Sequence, residues 1–162
     1  MTRLRPMTED EFSHWREQSI TGYAADKVRS GRWSEAESLA EAAKELAGLL
    51  PDGLATAGHV IYTIESEAGV SVGALWVART ERPAGPIGYV YDLVVWPAQR
   101  RQGHAAAAMR AMEVEALRLG WCGLALHVFG HNTPARQLYE RLGFEPTNLN
   151  LFKPLAPAGA AP

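Results

Sequence analysis

The segment that most constrains this chain is 94–106, which reads VVWPAQRRQGHAA between two apolar blocks. Its β-branched start is typical of a buried strand, Pro97 interrupts that strand, and the alanine-rich sequence after Gly103 predicts a helix. The first four amides of a helix have no partner within the helix, so they attract anions. Arg100 and Arg101 are unfavourable beside that positive helix end unless an anion lies there. The segment therefore predicts a turn that binds a polyanion.

Two small residues fit this interpretation, because Gly103 would let the backbone approach a ligand and Ala105 would leave room for it. An alternative stays open, in which the two arginines only solvate a loop and Gly103 is an ordinary turn residue. The sequence contains neither Gly-x-x-x-x-Gly-Lys-Ser/Thr nor Gly-x-Gly-x-x-Gly. The P-loop and the Rossmann fingerprint are thereby excluded as phosphate sites.

A second group of polar residues lies in the segment 126–144, which reads LHVFGHNTPARQLYERLGF. Asn132 falls where a strand gives way to a helix, and Tyr139 follows seven residues later, two helical turns further on. The amide and the phenol should therefore lie on one side of that helix. A structural explanation is equally open: Asn132 as the helix N-cap and Tyr139 as a core aromatic residue with a solvated hydroxyl.

The remaining sequence alternates between helix and strand patterns. Thr8 with Glu11, and Ser34 with Glu37, are capping-box pairs that predict two helix starts. Further helices are predicted over 103–119 and 132–143. Strand patterns occupy 2–6, 59–78 (an antiparallel hairpin), 87–95, 123–129 and 144–155. This order predicts an α+β fold.

Length and composition bound the remaining possibilities. A chain of 162 residues with 47% hydrophobic content supports one core, so we expect one domain over 1–155 and a disordered tail over 156–162. A net charge of −2 disfavours a nucleic-acid partner. No apolar run is long enough to span a membrane and no signal-peptide pattern is present, so we expect a cytoplasmic protein that does not bind membranes. Its single cysteine, Cys122, allows no internal disulfide.

The two polar motifs together carry a family resemblance. RRQGHA matches the Arg/Gln-x-x-Gly-x-Gly/Ala signature of the GNAT N-acetyltransferase superfamily, and NTPARQLYERLGF matches its Asn-x-x-Ala-x-x-Leu-Tyr-x-x-x-Gly-Phe signature. The chain resembles a small, bacterial, single-domain branch of that superfamily. The resemblance implies a three-layer α+β fold: a central, mostly antiparallel mixed sheet of about six or seven strands, flanked by about four helices and splayed between its fourth and fifth strands.

The resemblance also implies acetyl-CoA as the donor, held in the splay without a metal. Backbone groups of Leu93 and Val95 would pair with the pantetheine and polarise the thioester carbonyl, amides over 101–105 would cradle the pyrophosphate, and Asn132 would contact the CoA arm. The residues predicted to bind the donor are Leu93, Val94, Val95, Arg100, Arg101, Gln102, Gly103, His104, Ala105, Asn132 and Tyr139.

Two residues are predicted to be catalytic. By the resemblance, Tyr139 would lie near the sulfur as a general acid. Asp92 is the carboxylate nearest in sequence to the thioester site, which makes it a candidate general base. Asp92 could equally bind the substrate ammonium or satisfy a strand-end amide. Glu65, Glu67 and His59 are weaker candidates for the base.

These observations predict an acetyltransferase in which a primary amine, of a small molecule or a peptide, attacks the thioester directly in a ternary complex. The alternative is a non-catalytic acyl-CoA-binding or regulatory domain on the same fold. Tyr23 and Trp33 are candidates for the wall of the acceptor site, as the resemblance implies. His127 and His131 have no closely spaced third ligand, so no metal site is expected. Both a monomer and a homodimer fit the sequence.

Overall fold

The computed structural model of the chain describes residues 2–155. Within them the strands are β1 (Arg3–Pro6), β2 (His59–Glu65), β3 (Ser71–Thr80), β4 (Ile87–Val95) and β5 (Leu124–Leu126), and the helices are α1 (Glu9–Arg29), α2 (Glu35–Leu49), α3 (His104–Arg118) and α4 (Thr133–Arg141). The strands form one sheet in the order β1-β2-β3-β4-β5, in which β5 is parallel to β4 and the other neighbours are antiparallel. The predicted α+β class is confirmed, with four helices and a mixed sheet.

The sheet of the described residues has five strands, so the prediction of six or seven is wrong. The pattern at 144–155 forms no strand, and β5 stops at Leu126 rather than at residue 129. The reason is physical: β-branched and alternating residues favour an extended backbone, but a strand also needs a neighbouring backbone to supply hydrogen bonds. The tail expected over 156–162 lies outside the described residues.

Helix starts fall where the capping patterns predict them. At α1 the Thr8 hydroxyl accepts from the Glu11 amide and the Glu11 carboxylate accepts from the Thr8 amide, so this capping box is confirmed. Helix α2 also begins directly after Ser34, but here the Ser34 hydroxyl donates to the Glu37 carboxylate at 2.8 Å and caps no amide. Side-chain chemistry therefore locates both helix starts, although only the first box closes.

Apolar side chains pack on both faces of the sheet, which makes three layers. On one face α3 contributes Ala108, Met109, Met112 and Ala116 to a cluster with Ile64, Val72, Leu75, Val77 and Val90. On the other face α1, α2 and the residue that caps the end of α2 contribute Phe12, Trp15, Leu46 and Leu50 to a cluster with Ile61, Ala74 and Trp76. No helix within residues 2–155 is both long and apolar enough to cross a membrane.

A β-bulge in β4 sets the orientation of the residues that follow it. Trp76 of β3 is paired with Asp92 while the next residue, Val77, is paired with Val90, so Tyr91 is an extra residue in β4. Two consecutive residues at such a bulge can point to the same face. Tyr91 accordingly stacks on Trp76, with ring centroids 4.5 Å apart, and Asp92 also faces α1. Without the bulge, Asp92 would share the α3 face with Val90.

Candidate active site

Strands β4 and β5 separate at the point where the candidate site begins. They are paired only over Gly88–Val90 and Leu124–Leu126, after which β4 continues to Val95 without a strand on that side. The Trp96 amide donates to the Val72 carbonyl at 2.9 Å, toward β3. Along an antiparallel ladder, the backbone N–H and C=O groups of successive residues point alternately toward and away from the neighbouring strand. The backbone groups of Leu93 and Val95 therefore point away from β3, into the gap where β4 and β5 separate, which is called the parting below.

The predicted anion-binding turn follows directly. A 3₁₀ turn spans Pro97–Gln99, Arg101 has a φ of 64°, and Gly103, with a φ of 84°, is the N-cap of α3. A side chain at Gly103 would meet no atom within 4 Å, so the space beside its backbone is open. Residues 100–103 are exposed. The turn therefore presents the start of a 15-residue helix to open space.

Several predicted donor-binding residues have contacts of their own in this turn. The Arg100 Nε donates to the Val95 carbonyl at 3.1 Å, which holds the guanidinium beside the parting. His104 Nδ1 lies 3.0 Å from the Thr2 hydroxyl, so its side chain points to the N-terminal segment. Val94 packs its side chain against the α1 and α2 cluster, and its backbone faces β3. Gln102 is exposed and Ala105 is partly buried.

Asp92 is a partly buried carboxyl on the α1 side of the parting. The indole Nε1 of Trp15, which is 1% exposed, donates to Asp92 Oδ2 at 2.9 Å. Burial raises the pKa of Asp92 to about 6, although hydrogen bonds from Trp15 and from the Leu93 backbone oppose the rise; the charge of Asp26 adds to it. A carboxyl with this pKa can exchange a proton near neutral pH.

Tyr139 and Asn132 lie on α4, as predicted. Asn132 is the N-cap of α4 and its Oδ1 accepts from the Ala135 amide at 3.3 Å, so the structural explanation of this residue is correct as far as it goes. Tyr139 packs edge-to-face on Phe144 with centroids 5.5 Å apart. Burial, and then the charge of Asp92, raise the pKa of Tyr139 to about 12. The structure therefore brings the Tyr139 phenol into the electrostatic field of Asp92.

The sequence patterns do not predict two contacts of the site. His131 Nε2 lies 2.8 Å from Asp26 Oδ1, which ties α1 to the loop after β5. Trp15, which pattern alone assigns to the core, is also the hydrogen-bond donor to Asp92. No local signal predicts either pair, because the partners are 105 and 77 residues apart.

An aromatic group lies beside the His131 contact. The Tyr23 ring is edge-to-face with Trp33 at 5.6 Å and lies 6.5 Å from Phe129. Lys27 Nζ lies over both the Tyr23 and the Trp33 rings, at 5.1 and 4.8 Å. The structure thus brings the two predicted wall residues, Tyr23 and Trp33, into contact with each other and with the loop that leads to α4.

The weaker candidates for the base have other contacts. Glu65 pairs with Arg3 at 2.6 Å and with Arg5 at 3.7 Å. Trp76 Nε1 donates to His59 Nδ1 at 3.0 Å, and burial lowers the pKa of that histidine. Glu67 lies in the turn between β2 and β3. Within residues 2–155, no group of three or more His, Cys, Asp or Glu side chains could hold a metal ion.

A sheet that parts beside an exposed helix start is an arrangement that can bind a phosphate-bearing molecule. The model of the Acetyltransferase (GNAT) family matches residues 12–144. Two uncharacterized N-acetyltransferases of Bacillus subtilis (strain 168), YdgE and YycN, are 31% and 33% identical over 94% of this chain and 97% of each relative. This chain therefore belongs to the GNAT acetyltransferase family, and it is an acetyltransferase.

Solved structures agree with this assignment. The crystal structure of Bacillus subtilis YycN has a TM-score of 0.91 and 32% identity, and the match covers 96% of this chain and 99% of that one. AAC(6')-Iy in complex with the bisubstrate analog CoA-S-monomethyl-acetylneamine has a TM-score of 0.62, covering 96% of this chain and 99% of that one. At 18% identity the second likeness shows a shared fold alone.

Proposed function

We propose that this protein transfers the acetyl group of acetyl-CoA to a primary amine, which attacks the thioester directly in a ternary complex. The observation that carries the proposal is that Asp92, on the stretch of β4 that β5 no longer pairs, is held by Trp15 at 2.9 Å and that its charge acts on the Tyr139 phenol. One group can hold a proton near neutral pH and the other can donate a hydrogen bond. This pairing suits a reaction that removes a proton from an amine and leaves a thiolate.

The chain offers a donor such as acetyl-CoA a fitting site. The open space beside Gly103 leaves room for a pyrophosphate at the start of α3, where helix amides and the exposed Arg100 and Arg101 favour an anion. Backbone groups of Leu93 and Val95 face the parting and can pair with an amide-containing arm. Asn132 retains its Nδ2 as a donor, because its cap bond uses only Oδ1. Acetyl-CoA, when bound, supplies the activated acyl group.

Asp92 would serve as the base. An alkylammonium with a pKa near 10.4 loses its proton at pH 7 at a cost of roughly 4–5 kcal/mol, so a proton acceptor is useful. A carboxyl with a pKa of about 6 is mostly ionised at that pH and is still basic enough to accept the proton. The hydrogen bond from Trp15 fixes its orientation.

Tyr139 would stabilise the leaving thiolate. With a pKa of about 12 the phenol stays protonated. A thiol has a pKa of about 8.5, so complete transfer of the phenol proton to the thiolate is unfavourable while Asp92 is ionised. When Asp92 accepts a proton its charge disappears, and the pKa of Tyr139 falls. Proton uptake at Asp92 thereby makes Tyr139 a better donor.

The test is a thiol-release assay with acetyl-CoA and a broad panel of small-molecule, peptide N-terminal and lysine amines, together with calorimetric titration of CoA. We expect CoA to bind and at least one amine class to give turnover. Tight CoA binding without turnover on any amine would contradict the proposal and favour the regulatory alternative. Loss of both would contradict the placement of the donor.

A further inference from the structure

Aromatic side chains line the side of the parting that faces α1. On β4 the Tyr91 ring, 39% exposed, packs edge-to-face on Tyr89 with centroids 4.8 Å apart. Beyond β5 the Phe129 ring lies 4.9 Å from the His127 ring and 6.5 Å from the ring of Tyr23 on α1. Burial and a hydrogen bond to a carboxylate raise the pKa of Tyr23, and the Tyr89 phenol adds to this rise, so the two groups of rings adjoin.

These rings are called the aromatic surface below, and they are Tyr23, Trp33, Tyr89, Tyr91, His127 and Phe129. The surface lies beside Asp92, the candidate base, which follows Tyr91 directly in β4. Rings that are partly exposed at the mouth of a site fit a ligand with a flat or apolar body. The aromatic surface therefore suits the part of an acceptor that does not react.

Two basic side chains border the aromatic surface. Lys27 Nζ lies over the Tyr23 and Trp33 rings, at 5.1 and 4.8 Å from their centroids, and Arg32 is exposed directly before Trp33. Loss of solvent around the His127 ring, and then the charges of Lys27 and Arg32, lower the pKa of His127. Both charges that act on this ring are positive. The end of the aromatic surface near α1 is therefore a place where an anion is favoured.

The basic groups are available to a ligand, whereas the acidic groups nearby already have partners. Within the described residues 2–155, Lys27 and Arg32 take part in no ion pair. Glu45 accepts a hydrogen bond from the phenol above it at 2.9 Å, and Asp26 is bonded to the loop after β5 at 2.8 Å. A ligand anion would find unused donors here, while a ligand cation would meet like charge.

The basic groups lie at a distance from the candidate base. Trp15, whose indole holds Asp92, and Lys27 are about three turns apart on α1, or roughly 18 Å along its axis. An amine at Asp92 and an anion at Lys27 must therefore be several bonds apart in one acceptor. An α-amino acid, in which amine and carboxylate share one carbon, is too short to reach both.

We propose that the acceptor carries a carboxylate or phosphate several bonds from its primary amine, and that Lys27 and Arg32 bind this anionic group while the acceptor's apolar body packs on the aromatic surface. The inference rests on the proposed acetyl transfer and names the class of amine that receives the acetyl group. In that transfer the nitrogen bonds to the acetyl carbon, the carbon–sulfur bond breaks with its electron pair on sulfur, and the proton lost by nitrogen balances the thiolate as thiol.

The first test compares three acceptors of one shape: para-(aminomethyl)benzoate, its amide, and para-(aminomethyl)benzylamine. Calorimetric titration into the CoA-loaded protein measures binding without turnover, and thiol release from acetyl-CoA measures kcat/KM. We expect the benzoate to exceed the amide by about tenfold in both, and the diamine to be the poorest. The peptides Ala-Phe-Glu-Gly and Ala-Phe-Gln-Gly make the same comparison for an acidic side chain near a peptide N-terminus.

The outcomes separate this inference from the proposed function. A preference for the acid in either series supports the inference and identifies the source of the anionic group, a small molecule or a peptide. Turnover of amines without such a preference, or absence of any binding in both series, overturns it. Preferred binding of the acid without turnover of any amine supports the selectivity and contradicts the acetyl transfer.

A second test assigns the preference to the two basic residues. Lys27→Met and Arg32→Gln should each reduce the preference for acid over amide by roughly three- to fivefold, and Lys27→Arg, which keeps the charge, should retain it. Arg29→Gln is the matched control, because Arg29 is basic and exposed in the last turn of α1 but lies over no aromatic ring of the described chain. Thermal unfolding checks that all variants fold. An equal reduction in Arg29→Gln would show an effect of net charge alone and overturn the assignment.

Discussion

At the scale of single residues, the surroundings of Asp92 disfavour the ionised form of its carboxyl. Burial, and to a smaller extent the charge of Asp26, penalise its ionised form, and the hydrogen bonds from the Trp15 indole and the Leu93 backbone offset part of that penalty. The fold is more stable when a buried carboxyl is protonated, whereas a general base has to be ionised. This conflict is typical of functional sites, where stability is reduced in exchange for reactivity.

Asp92→Asn should therefore stabilise the protein and disable it. Asp92 binds its proton more tightly in the folded protein than in the unfolded chain. Its ionisation therefore lowers the free energy of unfolding above about pH 6 and has no effect on it well below pH 4. Asparagine keeps an oxygen for the Trp15 donor. We expect a gain of about 1–2 kcal/mol at pH 7 that vanishes near pH 4, measured by urea unfolding.

The same variant should lower kcat by about 10²–10⁴-fold. Wild-type activity should rise with pH through about 6 as Asp92 ionises. Asp26→Asn removes a neighbouring charge that raises the pKa of Asp92, so it should move this rise to lower pH. An unchanged profile in both variants would remove Asp92 from the mechanism.

Tyr139→Phe should slow turnover by roughly 10- to 100-fold while CoA affinity stays nearly the same, because a thiolate of pKa about 8.5 needs little help to leave. Tyr62→Phe is the control, since Tyr62 packs with the cluster on the α3 side. Steady-state kinetics and CoA titration check both. Equal effects of the two changes would assign Tyr139 a packing role.

At the scale of elements, the site depends on the sequence strand, turn and helix from β4 to α3. Strand β4 presents unpaired backbone, the turn reverses through two positive φ angles at Arg101 and Gly103, and α3 begins where the ligand would lie. Arginine at a φ of 64° is unfavourable, and such strain is found at functional sites when the surroundings enforce it.

Gly103→Glu should abolish CoA binding, because the carboxylate would occupy the open space beside the turn and repel a pyrophosphate. Gly120→Glu is the matched control: that glycine also has a positive φ and no atom near its missing side chain, but it follows the other end of α3. Both changes carry similar backbone strain, about 1–2 kcal/mol. Calorimetric titration should show the loss for Gly103 only, and retained affinity there would refute the site's placement.

Gly73→Ala should loosen β3 from β4. A side chain there would lie 2.1 Å from the Val94 carbonyl oxygen, which cannot yield without moving the strand. We expect a loss of roughly 1–3 kcal/mol, the usual cost of overpacking. Gly48→Ala, in α2 with free space around it, should instead stabilise by about 0.5–1 kcal/mol. Thermal unfolding of both variants checks the contrast.

At the scale of the whole molecule, a polar cluster joins three elements at the edge far from β5. Glu11 of α1 accepts from Arg5 of β1 at 2.8 Å and from Thr63 of β2 at 2.9 Å. These bonds, Arg5 first, lower the pKa of Glu11 to about 2. The cluster fixes the first helix against the sheet, and hence Trp15 against Asp92.

Acid should release this cluster. A carboxyl with a lowered pKa adds stability that is fully present above its unfolded pKa of 4.5 and is lost as the pH falls toward 2. Glu11→Gln should cost about 2 kcal/mol at pH 7 and little at pH 2. Glu17→Gln, an exposed change on α1, should cost almost nothing at either pH. Equal losses for both variants in urea titrations would contradict this role.

How far the sequence predicts the molecule depends on the range of each interaction. Caps and turns are local, so the starts of α1 and α3 and the positions of Gly103 and Asn132 follow from short patterns. The bulge at Tyr91 and the Asp26–His131 contact depend on partners far along the chain, and no short pattern encodes them. For the same reason the residues 144–155 show strand-like alternation without revealing what they pair with.

The bulge also divides β4 into two stretches that can vary separately. Up to Val90 the even-numbered residues of β4 face α3, whereas from Asp92 onward the even-numbered residues face α1. Deleting Tyr91 would therefore leave Asp92, Leu93 and Val94 on their present faces, because regular alternation from Val90 gives the same pattern. A deletion of Tyr91 should be tolerated more readily than the deletion of a single residue between it and Val95, which would carry the residues that follow to the opposite faces.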